Sequence, residues 1–193
     1  MTTRLSYASL RGALALLLAL LLTATGFVVA RRVAGKDNAQ LLATAVDLIR
    51  SDTAQTTCSA LNDCVDPTSR YFLFVFFSPR DCPICLYETS ILDSLYREFR
   101  RDDLEIIGVM QEASREEARR FAYASTISYA LYTHPRRLDK YIENPRPTPF
   151  NKPMTVLFSR SGAVLETAVA GLTVQSHWDL VARIRNRVRG DDP

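Results

Sequence analysis

The sequence predicts an α/β fold in which a central mixed sheet is flanked by helices. Three observations support this class. Tyr71 to Phe77 (YFLFVFF) is an apolar, largely aromatic run that indicates a strand buried on both faces. It is followed by an amphipathic helix from Pro83 to Arg100 and by a second apolar strand from Leu104 to Met110. Strands and helices that alternate in this way pack as layers around a sheet.

The other elements follow from periodicity and from breaker residues. Ser114 and Glu117 form a capping box, which starts a helix, and Arg160 to Gly162 separate two apolar runs in the manner of a hairpin turn. The three prolines within Glu143 to Lys152 indicate an irregular loop. The remaining expected elements are a helix from Asp37 to Arg50, a polar loop or short hairpin from Thr53 to Ser69, a helix from Ser114 to Ala124, strands from Ile127 to Tyr132, Met154 to Ser159 and Val164 to Ala170, and a helix from Val174 to Val188.

Length and charge limit the classes of function. The 193 residues provide for one domain and a short extension. Two of the 24 lysines and arginines, Arg4 and Arg11, precede residue 31, so the rest of the chain carries 22 basic and 21 acidic residues. This balance gives no electrostatic basis for nucleic-acid binding. The arginine-rich stretch at residues 183–189 is expected to be a solvated helix face or, alternatively, a contact with a membrane surface or a partner.

A membrane-targeting segment precedes the domain. Gly12 to Ala30 contain no charged residue and, as a helix, would be about 28 Å long, close to the roughly 30 Å hydrocarbon core of a bilayer. The length favours an uncleaved anchor over a signal peptide cleaved near Ala30. The expected organisation is a tail at 1–11, a membrane span at 12–30, a juxtamembrane helix and cysteine-containing loop at 31–69, a folded domain at 70–189 and a tail at 190–193.

Two of the four cysteines are placed for redox chemistry. Cys82 and Cys85 form a CxxC motif (CPIC) where the buried strand gives way to the following helix. The first turn of a helix offers unpaired N–H groups and the positive end of the helix dipole, so we expect the pKa of Cys82 to lie below the value of about 8.5 for a free thiol. A membrane segment followed by such cysteines favours an oxidising, extracytoplasmic location.

The sequence resembles the thioredoxin-like superfamily. The matching residues are FLFVFFSPRDCPIC, ending at Cys85, and Asn151 to Phe158, which lead into SRSGAVLETAVAG. Members of this superfamily have a proline, preceded by a cis bond, at the start of the strand beside the dithiol, and Pro153 matches that position. Over roughly Tyr71 to Val188 the chain looks like the membrane-tethered, extracytoplasmic TlpA/ResA-type proteins, with a weaker similarity to MauD-type proteins.

The resemblance implies a thiol–disulfide oxidoreductase of the bacterial inner membrane, with its catalytic domain in the periplasm, of the kind used in cytochrome c biogenesis. Cys82 would attack a partner disulfide, Cys85 would resolve the mixed disulfide, and Lys152 and Pro153 would shape the substrate groove. No cofactor beyond the dithiol is implied. The implied partners are a protein thiol or disulfide and a membrane redox donor or acceptor. Phe76 stands where thioredoxin has a buried acid, which leaves the direction of electron flow open.

The other pair of cysteines and the histidines have structural interpretations. Cys58 and Cys64 enclose five polar-loop residues, and we expect a structural disulfide there; a second redox relay or two free thiols are the alternatives. The four cysteines could also bind zinc, but the Cys58–Cys64 spacing is wide for a zinc knuckle, so no metal site is predicted. His134 and His177 are each expected to be ordinary surface or packing residues. A copper-delivery role would need a histidine near the dithiol, and His134 is the candidate for it.

Three other functions use the same thiols. The first is a metallochaperone for copper or zinc, and the second is a maturation factor for one cofactor-bearing enzyme. The third is a thiol peroxidase. Peroxiredoxins have a threonine three residues before the peroxidatic cysteine, and Pro79 occupies that position relative to Cys82. The sequence therefore favours dithiol exchange over peroxide reduction.

Overall fold

Six strands and four α-helices make up the described part of the chain. The computed structural model describes residues 38–57, 65–78, 83–99, 104–138, 140–142, 154–169 and 174–190. In chain order the elements are α1 (residues 38–51), β1 (Thr56–Thr57), β2 (Tyr71–Phe77), α2 (Pro83–Phe99), β3 (Leu104–Met110), α3 (Arg115–Ala124), β4 (Ala130–Tyr132), a 3-10 turn (Pro135–Arg137), β5 (Met154–Ser159), β6 (Val164–Val169) and α4 (Val174–Arg189).

The strands form one mixed sheet, as the sequence predicted. Their order is β1-β4-β3-β2-β5-β6. β2, β3 and β4 run parallel, while β1, β5 and β6 are antiparallel to their neighbours. β2 lies at the centre and has six buried residues out of seven, because it pairs with β3 on one side and with β5 on the other. The apolar run therefore indicated a central strand correctly, although one of its two neighbours is antiparallel.

Helices cover both faces of this sheet. On one face, α2, α3 and α4 pack over the odd-numbered residues of β2, which are Leu73, Val75 and Phe77. On the other face, α1 packs over the even-numbered residues, which are Phe72, Phe74 and Phe76. Side chains alternate between the two faces along a strand, so a run that is apolar at every position forms two cores at once. All described residues belong to one compact unit, residues 38–193.

The edge beyond β3 differs from the prediction in two respects. The strand expected from Ile127 to Tyr132 starts only at Ala130, because the Ser128 N–H donates to the Asp93 carboxylate of α2 at 2.6 Å instead of to a neighbouring strand. The segment expected to be a loop or short hairpin contains β1, which pairs with β4 rather than with a strand of its own. Both elements are short and depend on contacts with residues distant in sequence.

The arginine-rich end of the chain forms one face of α4. Arg185 and Arg189 both donate to the carboxylate of Glu98 on α2, at 2.8 and 2.7 Å, and Arg183 pairs with Glu166 of β6 at 3.0 Å. These pairs are partly exposed, so each adds little to stability. They link α4 to α2 and to β6, so Arg183, Arg185 and Arg189, which were expected to be solvated, are paired with acids.

Gly162 in the β5–β6 turn is required by both its backbone angle and its surroundings. Its φ is +78°, and a Cβ there would overlap the backbone of Asn38 and Ala39 at the start of α1. We expect Gly162→Ala to lower the free energy of unfolding by about 3 kcal/mol, because strain and overlap add. Gly190→Ala is the matched control: φ is +75° but nothing lies within 4 Å, so about 1 kcal/mol is expected. Equal losses in urea unfolding would contradict this account.

The expected membrane segment falls outside the described residues. Gly12 to Ala30 precede residue 38, where the description begins. Within the described ranges, no helix has the length and apolar character needed to cross a bilayer.

Candidate active site at the start of helix α2

The CxxC motif lies at the carboxyl end of the central strand. β2 ends at Phe77 and α2 begins at Pro83, so the chain passes from strand to helix within a few residues. Cys85 is the third residue of α2, whereas Cys82 lies outside the described residues. A helix that starts immediately after Cys82 directs unpaired N–H groups toward that end of the sheet. This is an arrangement that stabilises a thiolate.

The predicted groove residues precede a strand that begins at the same end of the sheet. Lys152 and Pro153 lie outside the described residues, and β5 starts directly after them at Met154. Met154 is paired with Phe76, one residue before the end of β2. The antiparallel pairing of β5 with β2 therefore brings the start of β5 next to the strand that leads into the dithiol.

Cys58 and Cys64 also lie outside the described residues, so their proposed disulfide stays a prediction. The chain is next described at Val65, which is buried in the α1 face of the core. The Asp66 N–H donates to Glu105 at the amino end of β3, at 3.2 Å. The amino end of β3 lies beside the amino end of β2. The carboxyl end of β2, which leads to the CxxC motif, is therefore about 20 Å from Glu105 along the strands, since each residue rises about 3.3 Å.

A buried glutamate on α2 is a site residue that sequence reasoning missed. Glu88 lies three residues after Cys85, hence one turn along the helix, and it is only 2% exposed. Neither of its carboxylate oxygens has a hydrogen-bond partner. Burial raises its pKa to about 8, since a charged carboxylate is unfavourable away from water. Glu88 is therefore a buried, protonatable group on the same helix as Cys85.

His177 on α4 faces this glutamate. Its Nδ1 lies 3.7 Å from Glu88 Oε2, and its side chain has no exposed surface. Both imidazole nitrogens lack a hydrogen-bond partner, and burial lowers the pKa of His177. Desolvation therefore favours a neutral carboxylic acid facing a neutral imidazole at pH 7. His177 was expected to be an ordinary surface or packing residue, and the structure buries it in the α2–α4 contact, 3.7 Å from Glu88.

Tyr87 and Trp178 lie between the Glu88–His177 pair and the solvent. The Tyr87 ring packs edge-on against His177, with ring centroids 6.4 Å apart. Trp178 donates its indole N–H to the Tyr87 hydroxyl at 3.2 Å, and both residues are partly exposed. The Glu88–His177 pair thus lies one layer below the surface of the α2–α4 contact.

A buried tyrosine borders the same region from the sheet side. Tyr129 is 1% exposed, its hydroxyl has no partner, and its ring packs edge-on against Tyr96 of α2. Burial raises its pKa well above the ordinary value, and negative charge on Glu88 or Asp93 would raise it further. Tyr129 therefore remains a neutral phenol at any physiological pH.

The signal for Glu88 was present in the sequence. Ile91, Leu92 and Leu95 define the apolar face of α2, and Glu88 is placed three, four and seven residues before them, on that same face. An acid in an apolar stripe beside a CxxC motif indicates a buried titratable group. The position of His177 opposite Glu88 could not be predicted from the sequence, because only the packing of α4 on α2 brings the two residues together.

His134 lies on the surface near the end of β4. It is exposed, and it precedes the 3-10 turn at Pro135–Arg137 without capping it. β4 is two strands from β2, a distance of about 10 Å across the sheet. Among the residues that the structure describes, no group of three or more His, Cys, Asp or Glu could hold a metal ion.

Comparison with solved structures decides the fold. A Chlorobium tepidum protein assigned as the thiol:disulfide interchange protein DsbE matches with a TM-score of 0.50 at 17% identity, over 63% of this chain and 82% of its own. Peroxiredoxin Q of Xanthomonas campestris matches with a TM-score of 0.50 at 16% identity, over 62% of this chain and 80% of its own. The chain has the thioredoxin-like fold. No protein-family profile and no curated protein sequence matches the chain.

The thioredoxin-like fold is thus shared with proteins of different redox chemistry. At these identities the likeness establishes the arrangement of strands and helices and leaves the reaction open.

Proposed function

We propose that the protein is a thiol–disulfide oxidoreductase in which Cys82 is the nucleophile and Cys85 the resolving thiol. The observation that carries this proposal is the position of Cys85 in the first turn of a helix that leaves the central strand of a thioredoxin-like sheet. Glu88, one helical turn after Cys85, is buried and protonatable, so it adds a group for the proton transfers of thiol exchange. The substrate is a protein thiol or disulfide, and no cofactor besides the dithiol is needed.

The exchange balances within the dithiol. The Cys82 thiolate attacks one sulfur of a partner disulfide, the partner S–S bond breaks, and its electron pair leaves with the other sulfur. Cys85 then loses its proton and attacks Cys82 in the mixed disulfide. The partner is released as a dithiol, and the protein keeps a Cys82–Cys85 disulfide. The reverse sequence oxidises a partner by the same atoms.

We propose that the domain acts outside the cytoplasm and is tethered by Gly12 to Ala30. A CxxC dithiol that follows an uncharged apolar segment of membrane-spanning length supports this location. A membrane redox protein would then restore the dithiol or the disulfide. The test is a C-terminal fusion to a reporter that functions only in the cytoplasm. Activity of that fusion would contradict the orientation.

A redox titration of the full-length protein tests the exchange function. The protein is equilibrated in glutathione buffers, free thiols are alkylated, and the peptides that contain Cys82 and Cys85 are quantified by mass spectrometry. We expect a two-electron transition between about −120 and −270 mV, the range of characterised exchange proteins. The Cys58 and Cys64 peptides serve as an internal reference, because a structural disulfide is expected below about −300 mV. Failure of Cys82 and Cys85 to form a disulfide would overturn the proposal.

Thiol peroxidase is the second candidate, and the fold likeness to peroxiredoxin Q is the observation in its favour. Addition of hydrogen peroxide to the reduced protein separates the two. An exchange protein consumes peroxide slowly and reduces a protein disulfide quickly, whereas a peroxidase shows the opposite order. Metal that copurifies with the thiols and prevents their oxidation would instead favour the metallochaperone.

A further inference from the structure

Glu88 and His177 are the two described side chains of α2 and α4 that are buried, titratable and without a hydrogen-bond partner. They face each other at 3.7 Å, slightly beyond hydrogen-bond distance. Buried polar groups without partners are costly, so such a pair calls for an explanation. A structural ion pair would be closer and would have further hydrogen bonds to its remaining lone pairs and protons. The Glu88–His177 pair has neither feature.

The dithiol chemistry supplies a change of charge one turn away. When a partner thiolate attacks Cys82 of the oxidised protein, the Cys82–Cys85 bond breaks, and its electron pair leaves with the Cys85 sulfur. That sulfur takes up a proton. A carboxylic acid at Glu88 can give this proton, and it then becomes a carboxylate buried in the core. In the reverse direction the carboxylate takes the proton back as Cys85 attacks the mixed disulfide.

We propose that His177 is a positioning residue for Glu88, whose imidazole Nδ1–H donates a hydrogen bond to the Glu88 carboxylate each time the proton passes to Cys85. This inference rests on the proposed exchange function. A movement of about 1 Å would bring Nδ1 and Oε2 into hydrogen-bond range. Hydrogen bonds to a charged group are stronger than neutral ones, and low polarity strengthens them further.

Three other polar groups in this region are less suited to this role. Tyr129 has a hydroxyl in the region, but Tyr96 and the sheet hold its ring, and its hydroxyl has no hydrogen bond in the structure. The Asp93 carboxyl group, on α2 itself, pairs with Arg97 at 2.7 Å and accepts a hydrogen bond from the Ser128 N–H. The Tyr87 hydroxyl is on the surface side of the pair and accepts a hydrogen bond from Trp178. His177 Nδ1 lies 3.7 Å from the carboxylate and has no other hydrogen-bond partner, so it can donate to Glu88.

Two substitutions at position 177 separate hydrogen bonding from packing. In His177→Asn the amide nitrogen can take the place of Nδ1, the nitrogen that lies 3.7 Å from Glu88, whereas in His177→Gln it takes the place of Nε2. The readout is the pH dependence of disulfide reduction by dithiothreitol in the full-length protein, followed through Trp178, the single tryptophan. Carbon-13 NMR of the Glu88 carboxyl gives its titration midpoint directly.

We expect His177→Gln to raise the Glu88 midpoint by about one to two pH units and to slow reduction at pH 7 about tenfold or more, the equivalent of one lost charge-assisted hydrogen bond. His177→Asn should stay within about half a pH unit of the parent. In a Glu88→Gln background, His177→Gln should cause no further change. Unshifted midpoints in both variants, or equal shifts in both, would overturn the inference. Each variant is also carried through the glutathione titration, where we expect it to form the Cys82–Cys85 disulfide; absence of that disulfide would reveal failure of the exchange function itself.

Discussion

Cys85→Ser is expected to stop the exchange reaction at a mixed disulfide between Cys82 and its partner. The resolving thiol is absent in this variant, so the first bond forms and the second step cannot occur. Turnover with a protein disulfide substrate should fall about a thousandfold or more, while a covalent adduct accumulates in non-reducing gels. Cys82→Ser should also lose turnover but form no adduct, because Cys82 is the attacking thiolate.

The other two cysteines provide the matched control. The Cys58→Ser/Cys64→Ser protein should keep its exchange rate within about twofold, although the loss of a structural disulfide would lower its stability by about 2 to 3 kcal/mol. An adduct formed by Cys82→Ser but not by Cys85→Ser would reverse the two roles. Normal turnover in both single variants would refute the catalytic assignment.

The second large effect is on the pH dependence of stability and involves Glu88. Its pKa is raised from 4.5 to about 8 in the folded protein. Between these values the folded state keeps a proton that the unfolded state has lost, so the free energy of unfolding falls as pH rises. The slope for this one group is about 1.4 kcal/mol per pH unit, which amounts to several kcal/mol over the interval. Glu88→Gln cannot ionise, so we expect its contribution to be flat.

The measurement is urea unfolding of the oxidised protein between pH 5 and 8.5. His177 contributes with the opposite sign, because its pKa is lowered and its stabilisation is lost as pH falls below its ordinary value of 6.5. The interval from pH 7 to 8 therefore isolates Glu88. Glu98→Gln is the control on the same helix, since pairing with Arg185 lowers the pKa of Glu98 and leaves it charged in both states at these pH values. Parallel curves for the parent and Glu88→Gln would show that Glu88 is not buried as an acid.

The strands and helices near the dithiol could be predicted from local sequence. β2 and β3 begin and end where their apolar runs do, and α3 begins at the expected capping box, in which the Ser114 hydroxyl accepts the Glu117 N–H. These signals are local, since strand burial needs continuous apolar residues and a cap needs two side chains three residues apart. β1 and the start of β4 were not predicted correctly, because their hydrogen bonds go to residues such as Asp93 that are far away in sequence.

By itself, the sequence determined the layer architecture, the order of the elements from β2 to α4 and the placement of Cys85 at the start of a helix. Those features depend on apolar periodicity and on breaker residues, which act over a few residues along the chain. Tertiary structure alone decided that Glu88 faces His177. The two residues are 89 positions apart, and they meet only because α4 packs on α2 with both side chains turned inward. Burial then shifts both pKa values toward the neutral forms, an effect that depends on removal from water and therefore on the completed fold.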